Sequence, residues 1–318
     1  MKSSKPLQIG KLKLKNPLIL APMLDVTDLP YRLICRKAGA SLAYTEMLNA
    51  QAILHENKKT KQMMQTCKED SPLGIQVTGN DVSDFKKLIP YLKKYDLVDI
   101  NCGCPSDRII SNNSGSCLLK TPRKIAKIIK FLKSQKLIVT AKIRLGFEKN
   151  NVLEIAKAIE KAGADAITIH CRLASQGYDI PADWNWIAKV KKEIKIPVIA
   201  NGDIFTGKDA KEALKIADAI MIGRAAIGNP LIFKEISDYL KTGKETKASF
   251  KERIDYFKKY LYLSKKYEII DVPRIKYLGC NFIKNTDGAS KLRNKLMQLK
   301  TFEEIRDFVD NLKPLIDK

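Results

Sequence analysis

The sequence predicts an α/β fold: a (β/α)8 TIM barrel followed by a small C-terminal helical domain. Two observations predict it. Eight short apolar runs, at residues 18–22, 42–45, 74–78, 97–101, 138–143, 166–170, 198–201 and 219–223, alternate with longer amphipathic segments. Beyond residue 243 such runs stop, and only helix-period patterns remain. A doubly wound open sheet is the competing architecture. It is disfavoured because no Gly-x-Gly-x-x-Gly follows the first run.

In chain order, residues 7–15 alternate apolar and polar side chains and read as a hairpin closing the amino-terminal end of the barrel. Segments 81–92, 122–133, 152–162, 184–194 and 208–217 carry helical periodicity. Thr121 before Pro122 reads as an N-cap with proline at the first helical position, and Thr206-Gly207 opens another helix. Lys241-Thr242-Gly243-Lys244 reads as a linker. After it come helices at 250–266, 272–285, 290–299 and 301–312, the last opened by a Thr301–Glu304 capping box. The expected division is a barrel domain over residues 1–243 and a helical domain over 244–318.

The 318 residues are 45% apolar and 29% charged, as in globular proteins. No apolar run approaches the ~20 residues that span a bilayer. The first residues lack a signal-peptide core, so a cytoplasmic location and no membrane contact are expected. Lysine and arginine total 58 against 35 acidic residues, a net charge of +23. Residues 244–318 hold 18 basic and 11 acidic residues, so the excess is spread over both parts. Such a field attracts polyanions, nucleic acid foremost. Charge alone leaves open a lysine-rich, merely solvated surface. The seven cysteines are odd in number and show no framework spacing. Cys102-Gly103-Cys104 is too tight for a zinc half-site, so no metal is expected, and most of the thiols read as small buried apolar groups.

Loops at the carboxyl ends of barrel strands carry active sites. Here the first strand ends at Ala21-Pro22-Met23-Leu24-Asp25, and the third supplies Gln76. The fourth delivers Asn101 and Cys104, the fifth Lys142 and Arg144, and the sixth His170 and Arg172. Asn201-Gly202-Asp203 closes the seventh, and Gly223-Arg224 the eighth. Glycines after strands seven and eight, with Arg224 beside them, suit a phosphate. Lys142 lies inside an apolar strand, where an ammonium calls for an anionic partner. Gln76 and His170 fit a site or a structural role equally well, and His55 reads as solvated. Spacing alone does not choose between the thiols of Cys102 and Cys104.

Five strings together carry a family resemblance: Ala-Pro-Met-Leu-Asp-Val-Thr-Asp at 21–28, Asp-Ile-Asn-Cys-Gly-Cys-Pro at 99–105, Ala-Lys-Ile-Arg-Leu-Gly at 141–146, Ala-Asn-Gly-Asp-Ile at 200–204 and Met-Ile-Gly-Arg-Ala-Ala at 221–226. In this order and at barrel spacing, the chain resembles the tRNA-dihydrouridine synthases. The likeness covers residues 7 to 243 well and the tail in general character. It implies an FMN-binding barrel and a helical tRNA-binding domain. It further implies that Pro22, Met23 and Leu24 line the flavin through their backbone, and that Gln76 and Lys142 meet the isoalloxazine ring. Asn101 would shape the flavin–uridine pocket. His170, Asn201, Gly202, Asp203, Gly223 and Arg224 would surround the ribityl chain and phosphate. Cys104, directly before Pro105, would be the general acid. Three departures are visible: Leu24 replaces a small residue, Cys171 a glycine, and residues 111–119 a loop richer in glycine and alanine.

The implied reaction reduces the C5–C6 double bond of a tRNA uridine, with NADPH or NADH as reductant. A thiol suits the proton transfer, since an unperturbed cysteine (pKa about 8.5) is protonated at neutral pH. A base in folded tRNA must be extruded at a cost of a few kcal/mol. That cost is offset by phosphate contacts, for which Arg274 and Arg293 are candidates beside the lysines of the tail, while Arg172 at the end of the sixth strand is a further substrate or tRNA candidate. Two other functions compete. A small-molecule flavin oxidoreductase of the dihydroorotate or dihydropyrimidine dehydrogenase type needs neither the +23 charge nor the tail. A non-catalytic tRNA-binding barrel does not need Cys104, Lys142 and Arg224 together.

Overall fold

The computed structural model describes residues 7–312. A two-stranded hairpin, β1 (Gln8–Ile9) and β2 (Leu12–Lys13), turns at Gly10 and precedes the barrel. The barrel staves are β3 (Leu18–Leu20), β4 (Ala43–Tyr44), β6 (Leu73–Thr78), β7 (Leu97–Cys102), β8 (Val139–Arg144), β9 (Ala166–His170), β10 (Val198–Asn201) and β11 (Ala219–Ile222). A short strand between them, β5 (Leu48–Asn49), adds to the end of β6. The staves pair in parallel in the order β3-β11-β10-β9-β8-β7-β6-β4. A parallel bridge between Ile19 and Leu42, with Leu20 N–H donating to the Leu42 carbonyl at 2.9 Å, joins the two ends.

Strand alternation sorts side chains between two cores. On β7, Val98, Ile100 and Cys102 face the outer layer of helices. Leu97 faces inward, and Asp99 and Asn101 share its parity. The inner core gathers Ile19, Leu42, Tyr44, Ala166, Ile199, Ala219 and Met221. Ile9 and Leu14 of the hairpin segment pack onto it and close the amino-terminal end, as the alternation at 7–15 predicts. Gly74 is required by this packing, since a Cβ there would lie 2.4 Å from the Tyr44 ring.

The outer layer comprises α1 (Leu29–Lys37), α2 (Ala50–Leu54), α3 (Lys58–Met63), α4 (Val82–Leu92), α5 (Asp107–Ile110), α6 (Pro122–Ser134), α7 (Val152–Lys161), α8 (Asn185–Glu193), α9 (Gly207–Ile216) and α10 (Ile232–Thr242). Thr206 and Asp209 form a reciprocal capping box on α9. Thr121, expected to cap α6, makes no side-chain bond to it, and Pro122 alone marks the start. The expected linker also shifts. Lys241 and Thr242 finish α10, and Gly243 is its left-handed C-cap at φ +73°.

Four helices follow: α11 (Phe250–Lys266), α12 (Val272–Phe282), α13 (Ala289–Gln298) and α14 (Phe302–Asp310). The Thr301–Glu304 capping box forms as predicted. Residues 283–285, expected to extend α12, lie beyond its end, and Asn285 turns at φ +56°. Tyr31 of α1 meets Tyr260 of α11 edge-on at 5.8 Å and Phe282 of α12 at 6.4 Å. Its hydroxyl accepts from Gly228 N–H at 2.8 Å and donates to the Ala226 carbonyl. Full burial of each such ring contributes about 1.5–3 kcal/mol, so the tail helices and the barrel share one apolar seam. No helix among the described residues is long and apolar enough to cross a membrane.

Candidate active site

The carboxyl ends of the staves open on a cavity of about 230 Å³. Pro22, Met23 and Leu24 form one wall, and Gln76, Asn101 and Lys142 another. His170, Asn201, Gly202, Gly223 and Arg224 line the remainder, with Cys104 at the same surface. Parallel strands ending at one level bring together residues up to about 200 positions apart. Asp203, also expected at the cavity, stands behind it and pairs with the arginines there.

A chain of buried hydrogen bonds sets the polarity of this surface. Asp99 accepts from Thr140 Oγ1 at 2.6 Å and from Gln76 Nε2 at 2.7 Å. Gln76 Oε1 accepts from Asn101 Nδ2 at 2.9 Å. Asn101 Oδ1 then accepts the backbone N–H groups of Gly103 (3.1 Å) and Cys104 (3.0 Å). A carboxylate at one end and two backbone donors at the other fix the orientation of both amides. Each amide nitrogen retains one N–H, so the wall offers donors to whatever occupies the cavity. Burial pushes the Asp99 carboxyl up to about 6, against the hydrogen bonds from Gln76 and Thr140 and the charge of Lys142.

Lys142 does not have the anionic partner that its apolar strand led us to expect. Its Nζ donates to Asn201 Oδ1 at 3.0 Å, and no carboxylate reaches it within salt-bridge distance among the described residues. Asn201 is held in turn by its own bond to the Met221 carbonyl at 2.8 Å. Burial, with repulsion from Arg144, lowers the lysine from 10.5 to about 8, and Asp99 only partly opposes this.

The opposite side is cationic. Arg144 donates to the carbonyls of Gly103 (2.9 Å) and Leu173 (2.8 Å), so it braces the cysteine loop from below. Arg172 is not the surface tRNA contact that the sequence suggested. It is 1% exposed, pairs with Asp203 at 2.5 Å and donates to the Ile180 carbonyl. Asp203 also holds Arg224 at 2.7 Å, and the Arg224 guanidinium lies 3.9 Å from the Tyr178 ring centre. Burial, followed by Lys142, Arg144, Arg172 and Arg224, drives His170 down to about 2. The imidazole is therefore neutral. Its Nε2 faces Arg172 Nη1 at 3.2 Å and must accept, which leaves the proton on Nδ1.

Glycines let the loops approach this centre. Gly202 adopts φ +110°, and a Cβ there would lie 2.8 Å from His170 Cδ2. At Gly223 the nearest protein atoms to a Cβ are 3.7 and 3.9 Å away, so the protein alone does not require glycine. A side chain there would instead enter the cavity.

The end of β7 separates the two thiols. Cys102 is fully buried in the outer core, whereas Cys104 has left the strand and lines the cavity half-buried. Cys35 and Cys171 are also buried, and Cys67, Cys117 and Cys280 are half-buried. His55 is exposed, as expected. Among the described residues no three His, Cys, Asp or Glu side chains gather as metal ligands.

Of the remaining tRNA candidates, Arg293 is half-buried on α13. Arg274 is buried and ion-paired to Asp28 at 2.9 Å, so it is not available as a phosphate contact. The sequence reading missed Tyr178, Phe205 and Met47, which also line the cavity. They lie on irregular segments where no periodic pattern marks them. Asp99 was visible only as part of a string, although its strand parity with Asn101 would have placed it inside.

The fold is a barrel shared by several solved structures. An old yellow enzyme homologue from Zymomonas mobilis superposes with a TM-score of 0.53 at 14% identity, covering 79% of this chain and 95% of that one. Histamine dehydrogenase from Rhizobium sp. 4-9 gives a TM-score of 0.52 at 12% identity, covering 82% of this chain and 50% of that one. The sequence narrows the class further. The chain belongs to the dihydrouridine synthase (Dus) family, whose profile matches residues 19–316. A probable tRNA-dihydrouridine synthase of Rickettsia conorii is 38% identical over 259 residues, 78% of each chain. tRNA-dihydrouridine synthase B of Pasteurella multocida is 38% identical, over 74% of this chain and 73% of its own. Probable tRNA-dihydrouridine synthase 1 of Synechocystis is 35% identical, over 96% and 89%. These relatives do not favour the small-molecule oxidoreductase or the non-catalytic reading.

Proposed function

We propose that this protein reduces specific uridines of tRNA to 5,6-dihydrouridine, with FMN in the barrel cavity and NADPH or NADH as reductant. The observation that carries the reading is a cavity rimmed by a thiol, walled by oriented N–H donors and ringed by cations with few carboxylates. Gln76, Asn101 and Lys142 suit the acceptor-rich pyrimidine edge of a flavin. Gly223 and Arg224 suit its phosphate, with Asp203 orienting the arginine.

Bound there, FMN would supply a hydride to C6 of the uracil, itself replenished by the nicotinamide. Cys104 Sγ would hold the proton that enters C5, and solvent would return one to the thiolate. Asn101 would keep the Cys104 loop at the height of the base through its bonds to two backbone N–H groups. Lys142 would stabilise negative charge on the ring side of the cavity. The exposed side chains of Leu24, Tyr178 and Phe205 at the mouth offer apolar surface for an extruded base. We further propose residues 1–243 as the catalytic domain, 244–318 as the tRNA-binding domain, and a cytoplasmic location.

The test is position-resolved mass spectrometry of tRNA from cells with and without this gene. A gain of two hydrogens at a defined uridine, dependent on the gene, is the expected result. An unchanged tRNA pool, together with purified protein that takes up no FMN, overturns the reading.

A further inference from the structure

Arg274 belongs to α12, yet its side chain ends against the loop that forms the first cavity wall. Its Nη1 lies 2.9 Å from Asp28 Oδ2 and its Nη2 3.2 Å from Glu46 Oε1. Exposed Asp25 stands 3.6 Å from the same Nη2. The three buried side chains are 4%, 2% and 0% exposed respectively. Burial works against the Arg274 charge, but Asp28 and Glu46 outweigh it and hold the guanidinium firmly protonated.

Both carboxylates also hold backbone. Asp28 caps α1 by accepting Tyr31 N–H at 2.9 Å, and its other oxygen accepts the Tyr260 hydroxyl at 3.0 Å. Glu46 accepts the N–H of Asp25 at 2.6 Å, and Asp25 sits in the left-handed region at φ +56°. Within the same turn, Thr27 Oγ1 accepts Met23 N–H at 3.0 Å. The segment so fixed begins with Ala21, Pro22, Met23 and Leu24, all on the cavity wall, and Met47 beside Glu46 lines it as well. One guanidinium from the tail therefore bridges two buried carboxylates that brace the wall from either side, and its charge opposes the burial that raises both carboxyls.

We infer that Arg274 is a positioning residue for the cofactor site: the helical tail, through this one side chain, sets the wall at residues 21–28. Without it, two buried carboxylates face each other with no counter-charge. Either they take up protons or the turn carrying Asp25 and Asp28 moves apart from Glu46. Movement of that turn widens the wall where FMN is proposed to lie, and the inference rests on that reading. Binding is then linked: a ligand that shifts α12 changes cofactor affinity by the same factor by which the cofactor changes that ligand's affinity.

The experiment titrates apoprotein with FMN by flavin fluorescence, for wild type, Arg274→Met, Arg274→Lys and the triple variant Arg274→Met/Asp28→Asn/Glu46→Gln. Arg274→Met is expected to weaken FMN binding roughly tenfold, since it strands buried charge, while Arg274→Lys loses less. The triple variant is expected to recover most of the affinity, because amides keep the backbone bonds without needing a cation. Hydrogen exchange is expected to quicken at residues 21–28 in Arg274→Met, with α11–α14 protected as in wild type. Unchanged affinity and exchange in Arg274→Met overturn the inference, as does a triple variant no better than Arg274→Met. If Arg274→Met does not fold, Arg274→Lys and the triple variant decide by the same criteria. Wild type that binds no FMN overturns the cofactor reading alone, and exchange at residues 21–28 still decides the role of Arg274.

Discussion

Asn101 accepts the backbone N–H of Cys104 at 3.0 Å, so the penultimate residue of the fourth barrel strand also sets the height of the thiol three positions later. Asn101→Ala removes that acceptor and leaves Gln76 Oε1 and two loop N–H groups without partners. The expected destabilisation is about 1–3 kcal/mol by thermal or urea unfolding. Turnover is expected to fall further than stability predicts, because the loop no longer holds Cys104. Equal losses in Asn101→Ala and in an equally destabilised outer-core variant such as Ile128→Val would show that the bond is only structural.

The two cysteines of the same loop should separate cleanly. Cys104→Ala is expected to abolish uridine reduction while leaving FMN uptake intact, because the thiol lies at the cavity and not in the packing. Cys102→Ala creates a void in the outer core and should cost about 1–2 kcal/mol with turnover largely retained. Single-turnover reduction of tRNA, set beside flavin content, checks both. The reverse pattern sinks the assignment.

Lys142 makes the site pH-sensitive. It releases its proton near pH 8 in the folded protein, below its ordinary 10.5. The unfolded chain thus binds more protons between those values, and this group makes folding more favourable as pH rises from about 8 to about 10.5. Affinity for an anionic ligand runs the other way and weakens as the ammonium is lost. FMN titrations at pH 7 and pH 9 are expected to show a several-fold loss for wild type and none for Lys142→Met. A wild-type affinity that does not change with pH removes Lys142 from the proposed cofactor contacts.

The net charge of +23 predicts a steep salt dependence of tRNA binding. Between 50 and 200 mM salt the affinity is expected to drop by about two to three orders of magnitude, for some five phosphate contacts. Filter binding or fluorescence anisotropy over that range measures it. A flat dependence leaves the charge as a property of the solvated surface.

These expectations differ in how far they could be read before folding. The strands at 166–170 and 198–201 match the sequence reading residue for residue, because β-branched runs bounded by turns are local patterns. The polar residues at strand ends were legible for the same reason, since barrel geometry sends the carboxyl ends of parallel staves to one face. The N-cap on Thr121 failed because a capping residue type does not guarantee the side-chain geometry. Tyr178 stayed invisible because an irregular loop carries no period.

The sequence by itself determined the barrel, its polar mouth and the motif that carries Cys104. Those features follow from period, from residue type at strand ends and from strings short enough to read locally. Only the tertiary structure decided which arginines remain available. Arg274 is matched to Asp28 across 246 positions and Arg172 to Asp203 across 31, and in each pair the arginine is almost wholly out of water. A charge on the chain reads as surface until the fold shows which partner desolvates it, and that partner is chosen by packing between elements remote in sequence.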